Sequence, residues 1–142
     1  MIRRLAGFVV ALGVWLPACS GDEEGDASDA ADDSNPPTLS ALQNDLFTPS
    51  CALGSSCHGD TALDSGLNLD APVHGKIVGQ ASNAAASRTL VVAGDPDASY
   101  LIEKLSSEAP EVGERMPLDR DPLRSATIER VRAWIAAGAL DD

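Results

Sequence analysis

Between Phe47 and Gly59 the chain carries two cysteines separated by five residues, and a histidine directly follows the second: Phe47-Thr48-Pro49-Ser50-Cys51-Ala52-Leu53-Gly54-Ser55-Ser56-Cys57-His58-Gly59. The run lies at the end of a predicted helix over about 39–48. Thr38 is suited to cap that helix, and Leu39, Leu42, Leu46 and Phe47 share one face of it. Two thiols so close in sequence either bind something or bind each other. Joined as a disulfide, Cys51 and Cys57 close a small loop that contributes roughly 2 kcal/mol in the chain-entropy account. His58 is then a surface or capping residue. Alternatively, the thiolates of Cys51 and Cys57 with the imidazoles of His58 and His74 form a donor set for zinc, at a spacing unlike the common fingers.

The chain around this run allows little more than short helices. The second predicted helix covers about 71–78, with Asp70 as cap and Pro72 in its first turn. The third covers about 96–106. Asp95 caps it, Pro96 opens it, and Tyr100, Leu101 and Leu105 face inward. Asp95 and Asp97 therefore read as helix-start carboxylates and not as an acid–base pair. The fourth covers about 126–137, capped by Ser125 and ended by Gly138. Ile128, Val131 and Ile135 recur at i, i+3 and i+7, and Trp134 lies beside that stripe. Thr89-Leu90-Val91-Val92 reads as a short extended piece. The expected fold class is all-α with long loops. Its aromatic residues beyond residue 38 are Phe47, Tyr100 and Trp134 alone. A domain of roughly 100 residues with so few large side chains gains from an internal body or a staple.

The first 38 residues are of another kind. Arg3 and Arg4 precede an uncharged apolar run from Leu5 to Leu16, and Leu16-Pro17-Ala18-Cys19 follows. The run is too short to cross a bilayer core about 30 Å thick, so residues 1–18 read as a signal peptide. The small residue before Cys19 resembles the lipobox of bacterial lipoproteins, which implies a diacylglycerol on Cys19. Each buried methylene contributes about 0.8 kcal/mol, so two chains anchor a protein to a membrane surface without spanning it. Ser20, with no Asp after the cysteine, is similar to lipoproteins released to the outer membrane. Residues 19–38 then form an acidic linker. Asp22, Glu23, Glu24, Asp26, Asp29, Asp32 and Asp33 stand there with no basic residue, within a chain of formal net charge -12. Such a segment buries too little apolar surface to order itself, and a chain of that length spans on the order of 25 Å. No clustered Lys and Arg offers a nucleic-acid footprint. Neither a Ser-His-Asp pattern, a phosphate loop nor Gly-x-Ser-x-Gly is present.

Cys57-His58-Gly59 resembles the haem attachment end of c-type cytochromes. Further along, Gly66-Leu67-Asn68-Leu69, Val92-Ala93-Gly94-Asp95-Pro96-Asp97-Ala98-Ser99-Tyr100-Leu101, Arg115-Met116-Pro117 and Ile128-Glu129-Arg130-Val131-Arg132-Ala133-Trp134-Ile135-Ala136-Ala137-Gly138-Ala139 follow in order. Together with Phe47-Thr48-Pro49-Ser50-Cys51 they resemble the divergent cytochrome c-like domain of myxobacterial lipoproteins and planctomycete surface proteins, over about residues 39–140 of a domain expected to span 39–142. The resemblance implies a small cytochrome c-like fold with crossed first and last helices. Leu42, Leu46 and Phe47 would meet Val131, Trp134 and Ile135. It implies haem c tethered by Cys51 and Cys57, with His58 as proximal and Met116 as distal iron ligand. Five residues stand between the cysteines where the usual attachment has two, so three must bulge, and Gly54, Ser55 and Ser56 suit a bulge. Attachment through Cys57 alone is a variant, and His74 is an alternative sixth ligand.

The function implied is one-electron transfer by an extracytoplasmic, membrane-anchored cytochrome. The acidic balance favours redox partners with a basic docking surface, in weak and salt-sensitive contact. A haem-free module closed by a Cys51–Cys57 disulfide is one alternative. A haem peroxidase, which needs an open sixth position, is the other.

Overall fold

Thr38 opens the first helix as its sequence suggests, its hydroxyl accepting the Ala41 N–H at 3.1 Å. In the computed structural model, which describes residues 36–59 and 66–142, this helix is α1 (Leu39–Leu42). It runs on without a break into a π-helical stretch, Gln43–Cys51. Pro49 lies inside that stretch. The wider winding is visible where the Ala52 N–H reaches back five residues to the Phe47 carbonyl at 2.7 Å. Then follow α2 (His74–Ile77), α3 (Tyr100–Ser106) and α4 (Ser125–Ala136). Among the described residues there is no strand, only isolated bridges such as Val78 with Val91 and Ala81 with Thr89. The domain is small and helix-dominated, with long loops. The signal peptide, Cys19 and the linker up to residue 35 lie outside the described residues, as does 60–65. No described helix is long and apolar enough to cross a membrane.

One apolar core joins the elements. Trp134, Tyr100 and Phe47 are its largest fully buried side chains. Leu42, Leu46 and Phe47 are buried with Val131, Trp134 and Ile135, where α1 packs on α4 and α4 on α3. α4 ends as Gly138 dictates. The Gly138 N–H bonds Ile135 O at 2.9 Å, and the Ala139 N–H bonds Trp134 O at 3.0 Å. This paired closure needs a positive φ, and Gly138 takes +108°. The tail then returns to the start of α1. Asp142 accepts the Leu39 N–H at 2.7 Å, and Trp134 Nε1 donates to Leu140 O at 3.0 Å.

Three helix starts differ from the sequence reading. α3 begins at Tyr100, not near 96. Asp95 instead closes a turn, accepting the Ala98 N–H at 3.0 Å. The buried Ser99 hydroxyl takes the Val92 N–H at 2.9 Å and donates to Asp95 O at 2.8 Å. Those local bonds compete with helix. α2 begins at His74, because Asp70 is engaged in the preceding loop: its N–H bonds Asn68 Oδ1 and its carbonyl takes Lys76 Nζ. At α4 the cap position is Arg124, without a side-chain bond, and Ser125 lies inside the first turn.

Candidate cofactor site

The π-helical stretch delivers Cys51, and a closed main-chain turn then delivers His58. Gly54 turns the chain at φ +71°, and Ser55 and Ser56 lie exposed at the tip. The His58 N–H returns to Cys51 O at 2.9 Å, and the N–H groups of Cys57 and Gly59 both bond Gly54 O at 3.2 Å. The residues between the cysteines are thus absorbed as a compact bulge. Gly59 is buried beneath it, and a Cβ there would stand 2.4 Å from Ala52 O. His58 Nδ1 lies 3.2 Å from Leu67 O. A carbonyl only accepts, so Nδ1 is the donor of this bond, and Leu67 O fixes the orientation of the ring. The Leu69 N–H also bonds His58 O, at 2.6 Å. Lys76 Nζ ties this neighbouring loop down through Asn68 Oδ1 at 2.9 Å and Asp70 O at 2.7 Å.

Met116 arrives on a loop fastened to α3. Its N–H bonds Lys104 O at 2.7 Å. Lys104 Nζ donates to Val112 O at 3.0 Å and to Glu114 O. The Tyr100 hydroxyl donates to the same Val112 carbonyl at 3.2 Å. Glu103 accepts the Glu111 N–H at 2.6 Å. Arg88 pairs with both Glu103 and Glu111 at 2.8 Å, with its guanidinium 5.0 Å over the Tyr100 ring. Glu103 is held below the usual carboxylate range by the Glu111 N–H, and by the charges of Arg88 and Lys104. Burial pulls the Lys104 ammonium below its ordinary value.

These two segments face one cavity of about 610 Å³, predominantly apolar, lined by Cys51, His58 and Met116 among others. Phe47, Leu69, Leu90, Leu101 and Leu105 supply apolar wall. The volume is that of a typical cofactor or ligand site. A larger, more open cleft of about 1020 Å³ is lined by charged groups such as Glu108, Glu114, Arg115 and Asp121, and holds neither cysteine nor His58. Cys57 stands off the wall of the apolar cavity. Both thiols are unpaired, and they lie close enough that burial and, secondarily, Cys57 push the Cys51 thiol up to about 11. His74 is placed elsewhere. Its Nε2 donates to Ala139 O at 2.9 Å and its Nδ1 lies 3.9 Å from Asp141, so it supports the tail and does not line the cavity with Cys51 and His58. Among the described residues no three His, Cys, Asp or Glu side chains gather as a metal-binding group.

An imidazole, a thioether and a thiol share one apolar cavity, although they come from positions 51, 58 and 116. Leu67, Lys76, Tyr100 and Lys104 position these groups, a role the sequence reading did not assign to any of them. One signal for two of them was in view, since the chain has only two lysines and both line this cavity. Comparisons with protein-family models, curated proteins and solved structures give no match.

Proposed function

We propose that this chain is a membrane-anchored, extracytoplasmic c-type cytochrome-like protein with a cytochrome c-like fold, carrying one haem for one-electron transfer. The observation that carries the reading is the single apolar cavity walled together by Cys51, His58 and Met116. Bound there, haem supplies a one-electron couple. The chain supplies the rest. Cys51 offers the thiol for a covalent tether, with Cys57 the next in the same turn. Leu67 O holds the His58 ring so that Nε2 is its ligating atom. Met116 offers a thioether, and His/Met ligation raises a reduction potential relative to two imidazoles. Phe47, Leu101 and Leu105 exclude water. Val112 and Leu118, exposed at 39% and 49%, leave an apolar margin to the cavity. Acidic side chains on the same loop, Glu111, Glu114 and Asp119, favour a redox partner with a basic face.

The test is the absorption spectrum and intact mass of the protein from its native host. A haem spectrum, with a mass increased by covalent haem and by lipid on Cys19, is the expected result. Colourless protein with Cys51 joined to Cys57 would overturn it. That outcome is the second reading, a haem-free binding module, and the proximity of the two thiols favours it. Within the haem reading, Met116→Ala should abolish the spectral signature of methionine ligation. A spectrum identical to wild type would remove Met116 as ligand.

A further inference from the structure

The segment 111–116 has no secondary structure of its own, and side chains from α3 give it its shape. Tyr100, Glu103 and Arg88 hold its beginning, at Glu111 and Val112. Lys104 alone spans it. Its ammonium bridges the carbonyls of Val112 and Glu114, and its own carbonyl receives the Met116 N–H. The lysine stem lies along the cavity wall beside Leu101, Leu105 and Met116. An ammonium donates several hydrogen bonds at once, so one side chain gathers carbonyls that otherwise diverge. In a chain with two lysines among 22 acidic residues, this one is spent on main-chain carbonyls and forms no ion pair within 4 Å among the described residues.

We propose that Lys104 is a positioning residue: it shapes the 112–116 loop so that the Met116 thioether is presented to the cavity. Its consequence for iron rests on the haem reading above; its consequence for the loop does not. The removal of charged donors from two carbonyls loosens the loop while the α1–α4 core, which Lys104 does not enter, persists.

The experiment is amide hydrogen exchange at Met116 in full-length protein, comparing wild type, Lys104→Met and Lys76→Met. A hydrogen bond to a charged group is strong enough that its loss should speed Met116 exchange roughly 10- to 100-fold in Lys104→Met. Lys76→Met, which acts on the other wall, should leave Met116 exchange unchanged. Equal exchange in wild type and Lys104→Met, with the near-ultraviolet signal of Trp134 intact, overturns the proposal. Should Lys104→Met fail to fold, ¹⁵N-lysine labelling of the wild type decides. Two lysines give two assignable ammonium signals, and a Lys104 signal that exchanges as freely as solvent-exposed lysine also overturns it. In haem-containing protein Lys104→Met should weaken the methionine-ligation signature while haem content stays constant. A coloured protein whose signature is unmoved rejects Lys104 and leaves haem in place. A colourless protein whose Met116 amide is still released by Lys104→Met keeps Lys104 as the clamp and rejects only haem.

Discussion

The turn that carries His58 and the loop that carries Met116 reach the same cavity by opposite means. The first is closed by main chain upon main chain: Cys51 O and Gly54 O supply its bonds, and Leu67 O then sets the His58 ring. Ser55 and Ser56 at its tip are exposed and merely fill length. The second has little main-chain closure and hangs from the side chains of Tyr100, Glu103 and Lys104. A main-chain turn is indifferent to most side chains but has no room where its strands cross. A side-chain-held loop tolerates backbone change but fails when a donor is removed. The imidazole is therefore rigidly placed, whereas the thioether is placed by groups that can be tuned one at a time.

The largest effect that separates the two walls is expected at Gly59. Gly59→Ala puts a methyl group against Ala52 O, a contact of 2.4 Å with backbone that cannot yield cheaply. The expected loss is about 3 kcal/mol in chemical denaturation, since overpacking at a fixed site costs on this scale. Ser56→Ala in the same turn should stay within about 0.5 kcal/mol of wild type. If both variants behaved alike, the account of a main-chain turn would fail. On the other wall, Tyr100→Phe removes one hydroxyl donor from Val112 O and should cost about 1 kcal/mol, read as a lower denaturation midpoint. Lys104 Nζ still serves that carbonyl, so a loss well above that size would make Tyr100 and not Lys104 the principal clamp.

The smallest effect concerns pH. Glu103 is held below its ordinary 4.5, mainly by the Glu111 N–H. A folded-state value below the unfolded one gives stability that is full above pH 4.5 and is lost as pH falls through the folded value. Protection of the Glu111 amide, its exchange rate taken relative to the intrinsic rate at each pH, should therefore fall on acidification below that point, and Glu103→Gln should flatten the response. The amides of Cys57 and Gly59, bonded to a carbonyl, should show no matching window. A flat wild-type response at Glu111 would contradict the side-chain-held description.

What could be read from sequence follows the same division. α4 was legible because Ile128, Val131 and Ile135 repeat with helical spacing and Gly138 supplies a positive φ. Thr38 was legible as a cap because its hydroxyl acts locally. The start of α3 was not. Asp95-Pro96 has the form of a helix opening, yet a buried serine three residues on gathers the nearby main-chain groups, and that depends on tertiary burial. The π-helical winding through Pro49 left no local mark either. At the site, Cys51, His58 and Met116 were singled out by the resemblance to c-type cytochromes, and they line one cavity. The same resemblance grouped Cys57 with them, but the turn sets it off the wall. The partners that position His58 and Met116, Leu67 through a carbonyl and Lys104 through an ammonium, were hidden because neither group is distinctive until the loops are folded.

The bond between Leu39 and Asp142 makes the described domain nearly a ring. A short peptide joining the tail to residue 38 would add little strain, since the two already touch, and the chain could be opened at the exposed Ala86–Ser87 turn instead. A circular permutant of that kind would keep both halves of the cavity in covalent order, from Cys51 to His58 and from Lys104 to Met116. It would also move the attachment point of any tether from the α1–α4 seam to the opposite end of the connectivity.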